Sequence, residues 1–419
     1  MALVIPKVQV RATGCCLVAW LLAAAPGAAQ DWPQWRGPAR DGVVSAAVTP
    51  DAWPAAWQRA WAFEIGEGYA SPVVVGDRAY TFSRQDPLEV VTALSLTDGT
   101  VFWQHLYQAP FEKNPYALKM AKGPYATPLV DGGRLYTVGV SGIVSAWSLD
   151  DGRPLWRRSF VDLVDSTALF GGTAASPLMV DGLLVVQVGS DVHGGVVLAL
   201  DSTDGAERWR LEGPMPGYAS PIRFDAGGVG HLVVVTQESL AGLDPATGVP
   251  RWTIPFLDEL LENIVTPVWT GAELIMSGTR AGTHAYRLVK EEGAWSYTEI
   301  WTNPEVTFYM SSPVLGDGLL YGLSSKRAGR FVALDTASGE VTWSSEGREG
   351  EHATALLTAE HLVLLTNEAQ LLVVERGGAI YRIERSYTVA DSQTWTLPVL
   401  LDDGLLVRDE THLVKLTAE

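Results

Sequence analysis

The chain has 419 residues, 47% of them hydrophobic, with 42 glycines, 24 prolines and a formal charge of −18. That is enough apolar matter for a continuous core and enough turn formers for many short strands, which excludes a disordered chain. So acidic a surface repels phosphate backbones and anionic lipid, which excludes nucleic acid as a partner.

Residues 1–29 read as an export signal. Lys7 and Arg11 form the basic start, Leu17 to Ala25 is an apolar run too short to span a bilayer, and Gly27-Ala28-Ala29 supplies small residues for cleavage. The mature chain is expected to begin near Gln30 and to be periplasmic or secreted, without a transmembrane segment. Losing Lys7 and Arg11 moves its charge from −18 to −20. Both cysteines, Cys15 and Cys16, lie in the signal ahead of its apolar run, so no lipid-anchoring cysteine follows that run. The mature chain then carries no disulfide, no thiolate metal site and no haem attachment sequence. Residues 30–56 form an N-terminal arm, whose Trp32 and Trp35 are expected to pack on the domain that follows, the alternative being contact with a ligand.

From residue 57 to 419 one unit repeats. It has a hydroxyl residue and proline, an apolar run, a Gly/Asp turn, a second apolar run, a Leu-Asp-x-x-x-Gly-like turn, then tryptophan. It opens at Ser71-Pro72, Thr127-Pro128, Ser176-Pro177, Ser220-Pro221, Thr266-Pro267, Ser312-Pro313, a degenerate Thr354-Ala355, and Leu397-Pro398. Pro72 to Pro398 is 326 residues over seven intervals, or about 47 per unit. This period with short alternating strands predicts an all-β chain, an eight-bladed β-propeller of four-stranded antiparallel blades.

The first unit shows the strands: Pro72 to Val75, Arg78 to Phe82, Glu89 to Leu96 and Val101 to Leu106, with period-two alternation. Tryptophan recurs on the fourth strand at Trp61, Trp103, Trp156, Trp209, Trp252, Trp301 and Trp343, and Ile383 replaces it in the seventh unit. Rings at one repeated position are expected to pack between neighbouring blades. Asp201 to Gly205 lacks the alternating acids and distal Glu of a calcium loop and reads as a turn. After Pro398 only three strands remain, so Trp57 to Ile65, bearing Trp61, is expected to close the last blade and leave no free edge.

Two sets of residues are candidates for contact with a ligand. Ser71, Thr127, Ser176, Ser220, Thr266, Ser312 and Thr354 begin the innermost strands and should ring the mouth of the axial channel. There they either cap the strand entry or orient water or a polar ligand. The long inter-blade links Tyr107 to Pro124, Asp162 to Gly172 and Phe256 to Asn263, with the loop Gly189 to Gly195, gather on the face opposite the tight turns. Phe111, Lys113, Tyr116, Lys119, Met120 and Lys122 in the first of these either contact a peptide or carbohydrate or form a lid. The histidines His105, His193, His231, His284, His352, His361 and His412 show no metal-ligand spacing, so no metal is predicted. No phosphate loop or nucleophile elbow occurs.

The opening Asp31-Trp32-Pro33-Gln34-Trp35-Arg36-Gly37-Pro38 with Arg40-Asp41-Gly42-Val43 resembles that of bacterial pyrroloquinoline-quinone-like (PQQ-like) β-propeller repeat proteins. Tyr69-Ala-Ser-Pro-Val-Val-Val-Gly-Asp77 and Leu334-Asp335-Thr-Ala-Ser-Gly339 resemble their repeat. The resemblance implies two functions. One is a non-catalytic scaffold that engages an envelope or extracellular protein, or a small polar ligand, as a monomer without cofactor. The alternative is a dehydrogenase of alcohols or sugars using PQQ with calcium. The alcohol-oxidising members hold the quinone over a vicinal disulfide, which this mature chain cannot form. Asp162, Asp165 and Asp191 lie in plausible loops, but no acid can be chosen as base. The binding reading is therefore preferred.

Overall fold

Strands of this chain are short because a Gly or Asp with its own turn chemistry interrupts each apolar run. In the computed structural model the first unit gives antiparallel strands Val73–Val75, Arg78–Gln85, Leu88–Ser95 and Val101–Gln108. The structure describes residues 31–45, 53–117, 120–165, 171–190, 193–213 and 215–418. The expected export signal with Cys15 and Cys16, and also Lys119 and Asp191, lie outside the described residues.

Eight four-stranded sheets follow one another. We number them as blades 1 (73–108), 2 (129–159), 3 (178–213), 4 (222–255), 5 (268–303), 6 (314–344), 7 (353–388) and 8 (399–418 with 57–64). The fold is thus the eight-bladed propeller that the repeat predicts. Blade 8 takes its outer strand from the front of the chain: Trp57–Glu64 runs antiparallel to His412–Ala418, with Ala62 opposite Val414 and Phe63 opposite Leu413. Among the described residues no helix is long and apolar enough to cross a membrane.

The core lies between blades, not within them, because both faces of every inner sheet are covered. Fourth-strand tryptophans carry much of this contact. The indole N–H of Trp61, Trp103, Trp156, Trp209 and Trp301 each donates to a carbonyl of the next blade: Leu96, Leu149, Ser202, Pro245 and Thr336, at 2.8 to 3.2 Å. The glycine of that next blade's turn lies flat on the same ring. A Cβ at Gly205 would stand 2.7 Å from Trp156, and Gly205 has φ +69°. The Leu-Asp-x-x-x-Gly turn and the tryptophan are two halves of one joint between blades.

The joint changes where the turn is missing. Blade 5 carries instead a long hairpin, Gly282–Glu291 with Ala294–Asn303, which the tight-turn pattern did not anticipate. Its turn places Glu292 and Gly293 at φ +50° and +87°, the geometry of a two-residue hairpin. Trp252 of blade 4 accordingly turns its N–H to Nδ1 of His231 in its own blade, at 3.1 Å. Trp295 of the long hairpin meets the His231 ring edge-on, with centroids 4.6 Å apart.

Arg408 fastens blade 8 to blade 1. Its guanidinium, 1% exposed, donates to the carbonyls of Ala70 (2.7 Å), Phe82 (2.8 Å) and Glu67 (2.9 Å).

Candidate functional site

The repeated hydroxyls form a girdle. The Ser71 amide donates to Thr127 Oγ1, Thr127 to Ser176 Oγ, Ser176 to Ser220 Oγ, Ser220 to Thr266 Oγ1 and Thr266 to Ser312 Oγ, all at 3.0 to 3.2 Å. The Leu397 amide donates to Ser71 Oγ at 3.0 Å and carries the girdle across the closure. Each hydroxyl therefore serves the blade before it. At the degenerate repeat the direction reverses, and the Ala353 amide donates to Ser311 Oγ at 3.1 Å. The Thr354 hydroxyl turns to the Thr396 carbonyl at 3.4 Å.

Above the girdle, on the face of the long links, the residue two before each hydroxyl position points into a funnel. In blade order these are Tyr69, Tyr125, Ala174, Tyr218, Ile264, Met310, His352 and Trp395, and all line one cavity of about 190 Å³. Four successive blades give a continuous aromatic arc. His352 stacks on Trp395 (5.1 Å between centroids), Trp395 on Tyr69 (5.3 Å), and Tyr69 tilts against Tyr125 (5.8 Å). Stacked rings of this kind present flat apolar faces with polar edges.

The funnel has a floor because the N-terminal arm closes the other end of the channel. Trp32 pairs with Val74 of blade 1, the Val130 amide of blade 2 donates to the Pro33 carbonyl, and Val44 and Gly42 bond to Leu357 of blade 7. The expected packing of the arm is observed: Trp32 is buried, and Trp35 is half-buried at the bottom of the funnel.

The Tyr107 to Pro124 link borders the same funnel. Phe111 is buried, and Gly172 comes so close to it that a Cβ would lie 2.8 Å from its ring. Met120 lines the funnel, its neighbour Ala121 bonds both Tyr69 and Tyr125, and Lys122 is held by Asp86 at 2.6 Å. Hydrogen bonds from Lys122, then Arg84, hold the Asp86 carboxyl below its usual range. Lys113 is half-buried, and burial lowers its pKa. Of Tyr116 only the backbone is described, in the short turn Pro115–Ala117. Opposite, Glu262 accepts the Tyr309 hydroxyl at 2.9 Å, and burial raises the Glu262 pKa.

A comparison with known proteins fits this geometry. The family model described as outer membrane protein assembly factor BamB, a PQQ-like repeat model, matches residues 87–345. The chain belongs to that family. A BamB of Yersinia pestis is 24% identical over 300 residues, covering 67% of this chain and 71% of the relative. A BamB of Kangiella koreensis is 30% identical over 159 residues, covering 38% of this chain and 36% of the relative. Two solved structures share the fold. BamB from Moraxella catarrhalis has a TM-score of 0.62 at 14% identity, over 87% of this chain and 98% of that one. A europium-containing methanol dehydrogenase has a TM-score of 0.67 at 12% identity, over 93% and 98%.

The dehydrogenase neighbour raises the question of a quinone with calcium, and the described acids do not gather to hold the cation. Among the described residues no three His, Cys, Asp or Glu side chains come together to hold a cation. Asp162 sits exposed in the turn Val161–Leu163, and Asp165 follows it outside the funnel lining.

His352 is the one titratable imidazole of the funnel wall. Burial pushes its pKa down to about 4, and burial with the nearby Arg251 does the same to His231. The folded state therefore resists protons that the unfolded chain takes up near pH 6.5. Stability is complete above that value and is lost as pH falls towards 4, by about 3 kcal/mol for His352. Urea titrations at pH 7, 5.5 and 4 should show this slope, and His352→Gln should make it shallower by its own share while that of His231 remains. An unchanged slope would place the loss elsewhere.

Proposed function

We propose that this chain is a non-catalytic binding propeller of the cell envelope that holds a segment of a protein partner in the aromatic funnel. The observation that carries this is the lining: one repeat position contributes a side chain from every blade, and most of these are aromatic or apolar. Six girdle hydroxyls below each accept a backbone amide, and the walls above them present the surface for an apolar side chain of a guest. The relatives named as outer membrane protein assembly factors suggest the guest class: a component of that assembly apparatus, or an outer-membrane protein on its way to assembly. Such a role places the chain in the periplasm, in agreement with its export signal.

The test uses the purified chain and an unfolded outer-membrane β-barrel protein held soluble at low detergent. Binding is expected, and Trp395→Ala and Tyr218→Ala should each weaken it about tenfold while leaving the melting curve near that of the parent. Equal affinity in both variants would remove the funnel from the interface. In parallel, titration with PQQ and calcium is expected to give no saturable binding. Stoichiometric quinone binding with dye reduction would restore the dehydrogenase reading.

A further inference from the structure

Arg36 and Arg40 carry two positive charges into the middle of the ring, with Asp41 close enough to Arg36 to act on its charge but, among the described residues, no ion pair. They are 3% and 8% exposed, and among the described residues neither lies within ion-pair distance of a carboxylate. Arg36 donates to the Pro313 and Asp41 carbonyls at 2.6 and 2.9 Å. Arg40 donates to the Pro177 carbonyl and to Gln34 at 2.9 and 3.1 Å, and its buried Nε has no partner. The two guanidiniums lie 5.3 and 5.7 Å from the Trp35 ring centroid. Burial lowers the pKa of Arg36 to about 10, and burial with the charge of Arg36 lowers that of Arg40 to about 9. Both arginines also have left-handed backbones, φ +62° and +58°. Such a conformation costs a non-glycine residue about 1 kcal/mol or more. An acidic chain thus spends both strain and desolvation to bring cations to this place.

Beside them, between the arm and the inner strands of blades 3 to 6, is a cavity of about 430 Å³. Arg36, Arg40 and Arg223 line it against one carboxylate, Asp41. Arg223 is half-exposed and meets Asp225 only at 3.4 Å. On the same wall Phe224 and Trp269 stack with centroids 4.1 Å apart and planes at 5°. The cavity is of the size of small-molecule sites. Guanidinium forks match a carboxylate in two parallel hydrogen bonds, and more strongly where water is excluded.

We propose that this cavity binds an organic carboxylate, with its charge on the arginines and its flat apolar body on Phe224 and Trp269. The cavity shares no lining residue with the funnel. Because its walls come from both the arm and the blades, a bound anion fastens one to the other.

The probe is 2-naphthoate, titrated into the full chain by calorimetry and by thermal melting. One site per chain is expected, with a raised melting temperature that grows with ligand concentration. The neutral amide, 2-naphthamide, should bind about tenfold more weakly or worse, and inorganic phosphate, which lacks the apolar body, likewise. Arg223→Gln changes a half-exposed side chain and should keep the fold while weakening naphthoate about tenfold. Arg40→Gln should abolish binding, and if that variant does not fold, Arg223→Gln decides alone. Equal binding of acid and amide, phosphate binding as tightly as naphthoate, an unchanged affinity in Arg223→Gln, or no saturation by naphthoate at millimolar concentration would each overturn the proposal.

Discussion

Arg408→Leu is expected to lower the unfolding free energy by about 3–4 kcal/mol, read as a reduced urea midpoint with an unchanged slope. The guanidinium serves carbonyls of Ala70, Phe82 and Glu67 across the junction where the two ends of the ring meet. Leucine fills part of the volume and leaves those oxygens in a dry interface. Burial lowers the arginine's own pKa to about 9, so removing the charge also removes a desolvation cost, which limits the loss. Arg408→Lys should recover only part of it, because an ammonium cannot present the fork that reaches several carbonyls at once. Arg59 supplies the contrast. It also sits in the closing blade and pairs with Asp391 at 2.6 Å, but both side chains are largely in water. Arg59→Ala should leave the midpoint nearly unchanged. If the two substitutions cost the same, the Arg408 bonds do not hold the junction.

The ring and its closure were legible because they rest on residues that one repeat fixes. Ser/Thr-Pro marks the entry of each inner strand, Asp and Gly mark the turn, and tryptophan marks the outer strand. The bonds those residues make were less legible. Ser71 does not cap its own strand; it receives an amide from Leu397, 326 positions away in sequence, and no local pattern reveals such a partner. The funnel was hidden by chemistry that varies at a constant position. Tyr69, Tyr125 and Tyr218 share the phrase Tyr-Ala-Ser/Thr-Pro, whereas Ala174, Ile264, Met310, His352 and Trp395 do not look alike. Counting back two residues from every unit's opening residue, the seven hydroxyls and Leu397, would have found all eight. The long hairpin of blade 5 was missed because Glu292-Gly293 is a weaker turn signal than Asp-Gly.

The opening motif Trp-Arg-Gly-Pro-x-Arg-Asp-Gly now has a physical explanation. Gly37 takes φ +81° with the Trp32 ring against it, so that a Cβ would lie 2.7 Å from that ring. Gly42 takes φ +78° against Val314 of blade 6. The two glycines turn the arm sharply between blade 1 and blade 7, and Arg36 just before the first and Arg40 between them reach blades 6 and 3. A sequence reader sees two expected tryptophans here. The arginines are the larger surprise, because charged residues in an arm are expected to face water.

Separating the arm from the closing strand gives the second large effect. A chain beginning at Trp53 lacks most of the arm but keeps its last four residues and Trp57–Glu64. It should remain a folded monomer, less stable by about 3–6 kcal/mol for the loss of buried Trp32, Val44 and part of Trp35. A chain beginning at Gly66 loses the strand as well. Trp57–Glu64 buries little itself, since only Trp61 of its eight residues is fully covered. Its removal nevertheless bares the edge of His412–Ala418, with the amides and carbonyls of a full strand, and strips Trp61 from Leu96 and Gly99 of blade 1. An open edge beside an unsealed blade junction invites pairing between chains. Light scattering after size exclusion should therefore show a monomer for the first truncation and soluble aggregate or precipitate for the second. Should the Gly66 chain remain monomeric and melt cooperatively near the full chain, the ring does not need the front strand, and closure rests on the side-chain contacts of Arg408 and the girdle alone.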